Sequence, residues 1–266
     1  MTGVEPKPAA TLLTLREVET KQGKELQVFM IVRHKKIDFA SGALVFPGGK
    51  VAENDYGVIR KHCIQSDQFD DTELALRIAA IRETFEESGL LFAYQSDQDH
   101  YIQDNEQAHL KEYRKAINAK ETTFSEFVQD QNLRLAVNEL TPFAHWVTPK
   151  MVPKRFDTHF YITPAPATQV ASPDGHESVD AIWIEPNHAV QQGEEGKLTV
   201  IFPTRMNLQK LGNQSTIKDS LASAQREPIV TVEPWTEVIE NKTYMCIPKE
   251  AGYSTHQFPM ESIMKP

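Results

Sequence analysis

Apolar and polar positions along this chain change period several times. Thr11 to Glu17 and Glu25 to Arg33 are rich in Leu, Val, Ile and Thr, and Lys21 to Lys24 between them contains Gly23. That pattern predicts two strands joined by a turn. A shorter apolar run, Ala43 to Phe46, stops at Pro47, Gly48 and Gly49, residues that favour a tight turn with unusual backbone angles. From Lys50 to about Asp71 no period is sustained, and a connection this long in a compact domain is usually functional or mobile. Asp70 and Glu73 then have capping-box spacing, and no Gly or Pro follows until Gly89, so a helix is expected to Ser88. At about 100° per residue Leu74, Ile78, Ile81 and Phe85 fall within about 60° of one another, a stripe suited to packing on a sheet. The opposite face is acidic.

Weaker helical patterns lie at Ala108 to Asn118 and, behind a second capping-box candidate at Thr123 and Glu126, at Phe124 to Asp130; they read as an inserted helical region. Strand character returns at Ala144 to Thr148, Thr158 to Thr163 and Ala181 to Glu185, and helices are expected over Thr204 to Leu211 and Thr216 to Gln225. Mixed elements without a composition break or a repeat predict one α/β domain over residues 1–266, with an insertion at about 91–140 and a helical C-terminal extension.

The 266 residues are 40% hydrophobic and 24% charged, an ordinary globular composition that excludes a disordered chain. A formal net charge of -9 argues against nonspecific attraction to nucleic acid or an anionic membrane, so a phosphorylated small molecule needs local cations. Arg33, Lys35, Lys36 and Lys50 flank the glycine turn and are candidates, although any one of them is more commonly a plain surface residue. Arg155 is a further candidate; beside Asp157 its other reading is a residue stabilising its own loop. Cys63 and Cys246 are too few for a disulfide framework or thiolate zinc site, and Cys63 is expected to be an inert thiol. The expected location is cytoplasmic.

Setting Leu74 to zero places Glu83, Glu86 and Glu87 at about 180°, 120° and 220°, three carboxylates opposite the apolar stripe. A solvated helix face is the ordinary reading of such a cluster. Here, however, Glu86 and Glu87 occupy the last turn, where the helix dipole disfavours negative charge, and Glu83 with Glu87 is a repulsive i,i+4 pair. A divalent ion reverses both penalties. All-carboxylate ligation suits Mg²⁺ (or Mn²⁺), ions that bridge to substrate phosphates. Competing chemistries lack their motifs: His176-Glu177-Ser178-Val179-Asp180 has no second histidine for a zinc helix, and Gly-x-Ser-x-Gly, Gly-x-Gly-x-x-Gly and a P-loop are absent.

Arg82-Glu83-Thr84-Phe85-Glu86-Glu87-Ser88-Gly89-Leu90 resembles the core of the Nudix box, R-E-U-x-E-E-x-G-U with U apolar, Thr84 being a mild departure. Phe46-Pro47-Gly48-Gly49-Lys50-Val51 resembles its start. The stretch from Gly49 to Arg82 is longer than the family pattern, which implies an insertion at about 50–70. It also displaces the pattern's further glutamate: Leu74 stands in that slot and Glu73, beside it, is given no role. Gly42 to Gly49, Trp146-Val147-Thr148-Pro149, Arg155-Phe156-Asp157-Thr158 and Phe202-Pro203-Thr204-Arg205 with Leu208 and Leu211 resemble the coenzyme A diphosphatase branch.

The resemblance implies a Nudix α/β/α sandwich with a mixed, partly curled sheet and helical additions. It implies Mg²⁺ held by Glu83, Glu86 and Glu87 and approached by the Gly48 carbonyl, with Arg82 orienting a carboxylate. An ordinary Arg82–Glu86 surface contact, worth a few tenths of a kcal/mol, is the alternative for Arg82. An additional acid is expected at Glu177 or Asp180, either of which is equally well a solvated loop residue. The implied reaction is attack of water on the diphosphate of a nucleoside diphosphate derivative, coenzyme A or an acyl-CoA, giving 3′,5′-ADP and the 4′-phosphopantetheine product. A nucleotide sugar or dinucleotide as substrate, a non-catalytic nucleotide-binding module and a merely solubilising acidic face are the other readings, and a homodimer is left open.

Overall fold

A computed structural model describes residues 4–21, 23–34, 42–57, 59–103, 110–175 and 178–263; statements of absence or number below concern these residues. Two long strands, β1 (Lys7–Thr20) and β2 (Gly23–Arg33), pair antiparallel through Leu15–Thr20 and Gly23–Val28. Their central residues are buried in consecutive runs, Leu12 to Leu15 and Val28 to Ile31, rather than in alternation, because both faces of the sheet are covered.

The rest of the sheet grows from these two. β3 (Leu44–Val45) pairs with β2 and β4 (Gly48–Lys50) with the first half of β1. After α1 (Asp71–Ser88) come the small pair β5 (Ala93–Gln95) and β6 (Leu133–Leu135), with α2 (Leu110–Asn118) and α3 (Phe124–Asp130) between them. β7 (Thr141–Val147) runs antiparallel to β8 (Phe156–Pro164), which lies parallel to β1. β9 (Ser178–Ile184) pairs with β2. Then follow α4 (Pro186–Glu194), α5 (Phe202–Leu211), α6 (Ile217–Arg226) and β10 (Thr231–Val232), the last parallel to β7. Because β1 is shared between β4 and β2, and β2 between β1 and β9, the eight-stranded mixed sheet divides and curls.

One face carries Ala10, Leu12, Phe29 and Ile31 under Ile78, Ile81 and Phe85 of α1; the other carries Leu13, Leu15, Val28 and Met30 under Val190, Met206 and Leu211. The result is the expected helix–sheet–helix sandwich. The expected helical C-terminal extension is continuously helical only through α4 to α6, apart from a short helix at its end. Beyond β10 it forms a three-stranded antiparallel sheet, β11 (Trp235–Ile239), β12 (Lys242–Cys246) and β13 (Gln257–Pro259), and ends on α7 (Met260–Ile263). No helix is long and apolar enough to cross a membrane.

Candidate active site

The helix that carries the glutamates has sharply defined ends. Asp70 caps it by accepting from the Glu73 N–H at 2.8 Å, and Gly89 at φ 77° closes it, a left-handed conformation that glycine adopts without a Cβ penalty. Glu73 does not complete the reciprocal box; its carboxylate takes the Arg77 Nε–H at 2.7 Å instead.

The acidic face is not solvated. Arg82 and Glu87 are buried, and the Glu83 and Glu86 side chains are only 15% and 22% exposed. Arg82 is the centre of the arrangement. Its Nε and Nη2 both donate to the buried Asp55 carboxylate at 2.9 Å, Nη2 also reaches the Lys50 carbonyl at 2.8 Å, and Nη1 faces Glu83 at 2.8 Å and Glu86 at 3.3 Å. The surface-contact alternative for Arg82 is thereby set aside: this is a buried fork-to-fork pair that aims the rest of the guanidinium at two more carboxylates. Burial works against the Arg82 charge, but Glu83, Asp55 and Glu86 outweigh it and hold its pKa above the ordinary value. Burial pushes the Glu83 carboxyl up to about 7, opposed by Arg82 and reinforced by Glu86.

Pro47-Gly48-Gly49 is not the strained turn that the dipeptide signals predict. Gly48 and Gly49 begin β4, opposite Thr11 and Ala10, and neither is among the glycines with positive φ. Glycine is required there for space. A Cβ on Gly48 would stand 2.5 Å from the Ala10 carbonyl oxygen, and one on Gly49 would stand 2.5 Å from the Glu83 carboxyl carbon. Gly49→Ala is therefore expected to fold while moving Glu83, and to lower metal-dependent hydrolysis by on the order of tenfold or more, a misplacement effect. Gly48→Ala, which meets backbone, is expected to cost about 1–3 kcal/mol of stability. Paired melting curves and rates check both; equal effects from the two variants count against this assignment of space.

Glu87 is turned another way. Its Oε2 accepts from the Gly48 N–H at 2.9 Å. The group of three His, Cys, Asp or Glu side chains whose ligand atoms lie within 4.8 Å of one another is His145, Asp157 and His159, not the glutamate trio. What does fit a hard cation is narrower: two half-buried carboxylates, Glu83 and Glu86, sharing one guanidinium beside a cradle that a Cβ on Gly49 would fill. Their oxygens are the donor type of Mg²⁺ or Mn²⁺.

The dipole penalty on the last turn of α1 is offset by groups distant in sequence. The Glu86 carbonyl accepts from Arg114 Nε at 2.9 Å and Asn118 Nδ2 at 3.2 Å, the Glu87 carbonyl from Ser178 Oγ at 2.9 Å and the Ser88 carbonyl from the Ser172 N–H at 2.8 Å. These carbonyls would otherwise lack partners at the helix end. Asp55, Arg114, Asn118 and Ser178 carried no signal in the sequence, since each acts on α1 from a segment without periodicity or from another element.

The expected substrate cations separate. Lys50 is exposed at the end of β4, beside the cluster through its carbonyl. Arg33 ends β2 opposite Ser178, the residue that holds the Glu87 carbonyl. Arg155 is corrected: it is buried and its three nitrogens donate to Thr148 O, Val4 O and Glu233 Oε1 at 2.7–2.9 Å, so it ties its loop to the N-terminal strand. Asp180 is exposed, and its Oδ1 accepts from the adjacent Ala181 N–H at 2.8 Å. Lys35, Lys36 and Glu177 lie outside the described residues. Cys63 is buried, and burial pushes its thiol up to about 12, in keeping with an inert role.

Residues 61–211 match the model of the NUDT19 Nudix domain family. The chain is 24% identical to an acyl-coenzyme A diphosphatase NUDT19 of Xenopus laevis, over 81% of this chain and 67% of that protein. It is 26% identical to a putative nudix hydrolase 7 of Caenorhabditis elegans, over 85% and 70%. In three dimensions it resembles the crystal structure of a NUDIX hydrolase from Alicyclobacillus acidocaldarius, with a TM-score of 0.65 at 25% identity, over 82% of this chain and 96% of that one.

Proposed function

From the premise that this chain belongs to the Nudix hydrolase family, in its NUDT19-like branch, we propose that it hydrolyses the diphosphate of coenzyme A or an acyl-CoA, giving 3′,5′-ADP and (acyl-)4′-phosphopantetheine. The observation that carries the hydrolytic part is the pair Glu83 and Glu86 gathered on Arg82 against the Cβ-free Gly49. The substrate part is supported by the similarity to the acyl-coenzyme A diphosphatase of Xenopus laevis.

In this reading Glu83 and Glu86 hold a divalent cation, joined by Glu87 and the Gly48 carbonyl as the box pattern implies. Such an ion, when bound, neutralises diphosphate charge and raises the acidity of the attacking water. The remaining work belongs to the chain. Asp55 and the Lys50 carbonyl fix the Arg82 guanidinium, which holds both glutamates facing one point. Arg114, Asn118 and Ser178 keep the last turn of α1 in place beneath them. Lys50 and Arg33 supply positive charge for the phosphate oxygens, and a carboxylate of the cluster accepts the proton of the attacking water. Asp180 remains the candidate for an additional acid.

Assaying the protein against coenzyme A, an acyl-CoA, NADH and ADP-ribose, with and without Mg²⁺, tests both parts. Mg²⁺-dependent release of 3′,5′-ADP, faster than cleavage of the other two, is expected. Cleavage of NADH or ADP-ribose with coenzyme A and its thioester untouched overturns the substrate. Nucleotide binding without metal-dependent cleavage of any compound overturns the hydrolytic assignment in favour of a binding module.

A further inference from the structure

Across the sheet one register row runs from β10 to β4: Thr231 lies opposite His145, His145 opposite His159, His159 opposite Ala10 and Ala10 opposite Gly49. Directly opposed residues share a face, and Ala10 faces α1. The two histidines therefore stand on the α1 side of the sheet, His159 two strand spacings, roughly 10 Å, and His145 three, roughly 14 Å, from the glycine that abuts Glu83. Asp157, two residues before His159, lies on the same face.

The imidazoles are stacked with their centroids 4.0 Å apart. His145 Nε2 bonds to Asp157 Oδ1, and His159 Nε2 lies 3.8 Å from that same oxygen. All three residues are partly exposed, so a bound ion can complete its coordination with solvent. The other ring nitrogen of His145 is 2.8 Å from Thr231 Oγ1, the kind of outer hydrogen bond that fixes the tautomer and ring angle of a metal-bound imidazole.

We propose that His145, Asp157 and His159 form a binding site for a borderline divalent transition metal, Zn²⁺ in type, separate from the carboxylate cluster of α1. Two imidazoles and one carboxylate form a donor set that suits zinc and its neighbours and is poorly matched to Mg²⁺. Donors about 2 Å from one ion stand roughly 3.3 Å apart, so the set, already within 4.8 Å, closes by side-chain rotations of about 1 Å. The site does not depend on which diphosphate the protein cleaves.

The test uses the full chain without a histidine tag, stripped with chelator and titrated with Zn²⁺ in excess Mg²⁺. One equivalent is expected to bind. Asp157→Asn and His159→Gln should each weaken binding by on the order of 100-fold, Thr231→Val by about tenfold, and Glu86→Gln should leave it unchanged. In the wild-type chain the ring protons of two of the nine histidines, assigned as His145 and His159, should shift on addition of Zn²⁺, a readout that needs no variant to fold. Absence of Zn²⁺ binding, binding lost only in Glu86→Gln, or shifts at other histidines overturns the proposal and leaves the three side chains as a hydrogen-bonded clasp between β7 and β8.

Discussion

Glu86→Gln is expected to lower Mg²⁺-dependent hydrolysis by on the order of 100-fold or more while leaving the metal-free protein equally or slightly more stable. Charge neutralisation by a bound ion lowers a phosphoryl-transfer barrier by several kcal/mol, and each 1.36 kcal/mol is a factor of ten in rate. Removing one of two carboxylates that share a guanidinium weakens the hold on that ion. Stability moves the other way because Glu83 and Glu86 repel each other, a contribution that adds to the larger effect of burial in raising the Glu83 carboxyl, and Arg82 retains Asp55 and Glu83 when Glu86 is neutral. Steady-state rates and melting curves on the same preparation separate the two effects. Undiminished Mg²⁺-dependent activity in the variant removes Glu86 from the machinery.

Arg82→Met is expected to cost about 3–5 kcal/mol of stability, the usual consequence of deleting one member of a buried ion pair. Asp55 is 2% exposed and would be left charged without its fork partner, beside two further carboxylates that also lose their counter-charge. For a chain of this size the loss corresponds to a fall of roughly 10 °C in melting temperature. Neutralising the abandoned partner as well, in Arg82→Met with Asp55→Asn, should restore part of it, because coupled neighbours do not add. Mg²⁺ should raise the melting temperature of Arg82→Met more than that of wild type, since the ion replaces the missing positive charge between Glu83 and Glu86. A single variant that melts within one or two degrees of wild type would return Arg82 to the exposed-contact reading.

The ends of α1 were legible in the sequence because a helix terminus is written locally: Asp70 reaches a backbone N–H three residues away, and Gly89 supplies its own left-handed turn. The Thr123–Glu126 box at the start of α3 was legible for the same reason. Local signals misled at Gly48 and Gly49, where glycine answers to the Ala10 carbonyl and the Glu83 carboxylate, neither of them near in sequence. Arg155 has the composition of a phosphate ligand, but its partners on Thr148, Val4 and Glu233 occupy all its nitrogens. The C-terminal sheet, with short strands and an exposed Trp235 and Val238, had too little periodicity to be read.

By itself the sequence determined the one-dimensional facts: which stretches alternate and which wind, where α1 starts and stops, and that three glutamates crowd one arc of it in an order that resembles the Nudix box. What surrounds that arc follows from the three-dimensional fold. It buried the arc that would otherwise be solvated, set Arg82 between Asp55 and two of the glutamates, gave the third to the Gly48 N–H, and brought His145 and His159 together from different strands. The division has a physical cause. Helix caps and periodicity act over three or four residues, whereas desolvation and ion pairing depend on distance in space, which the order of residues along the chain does not record.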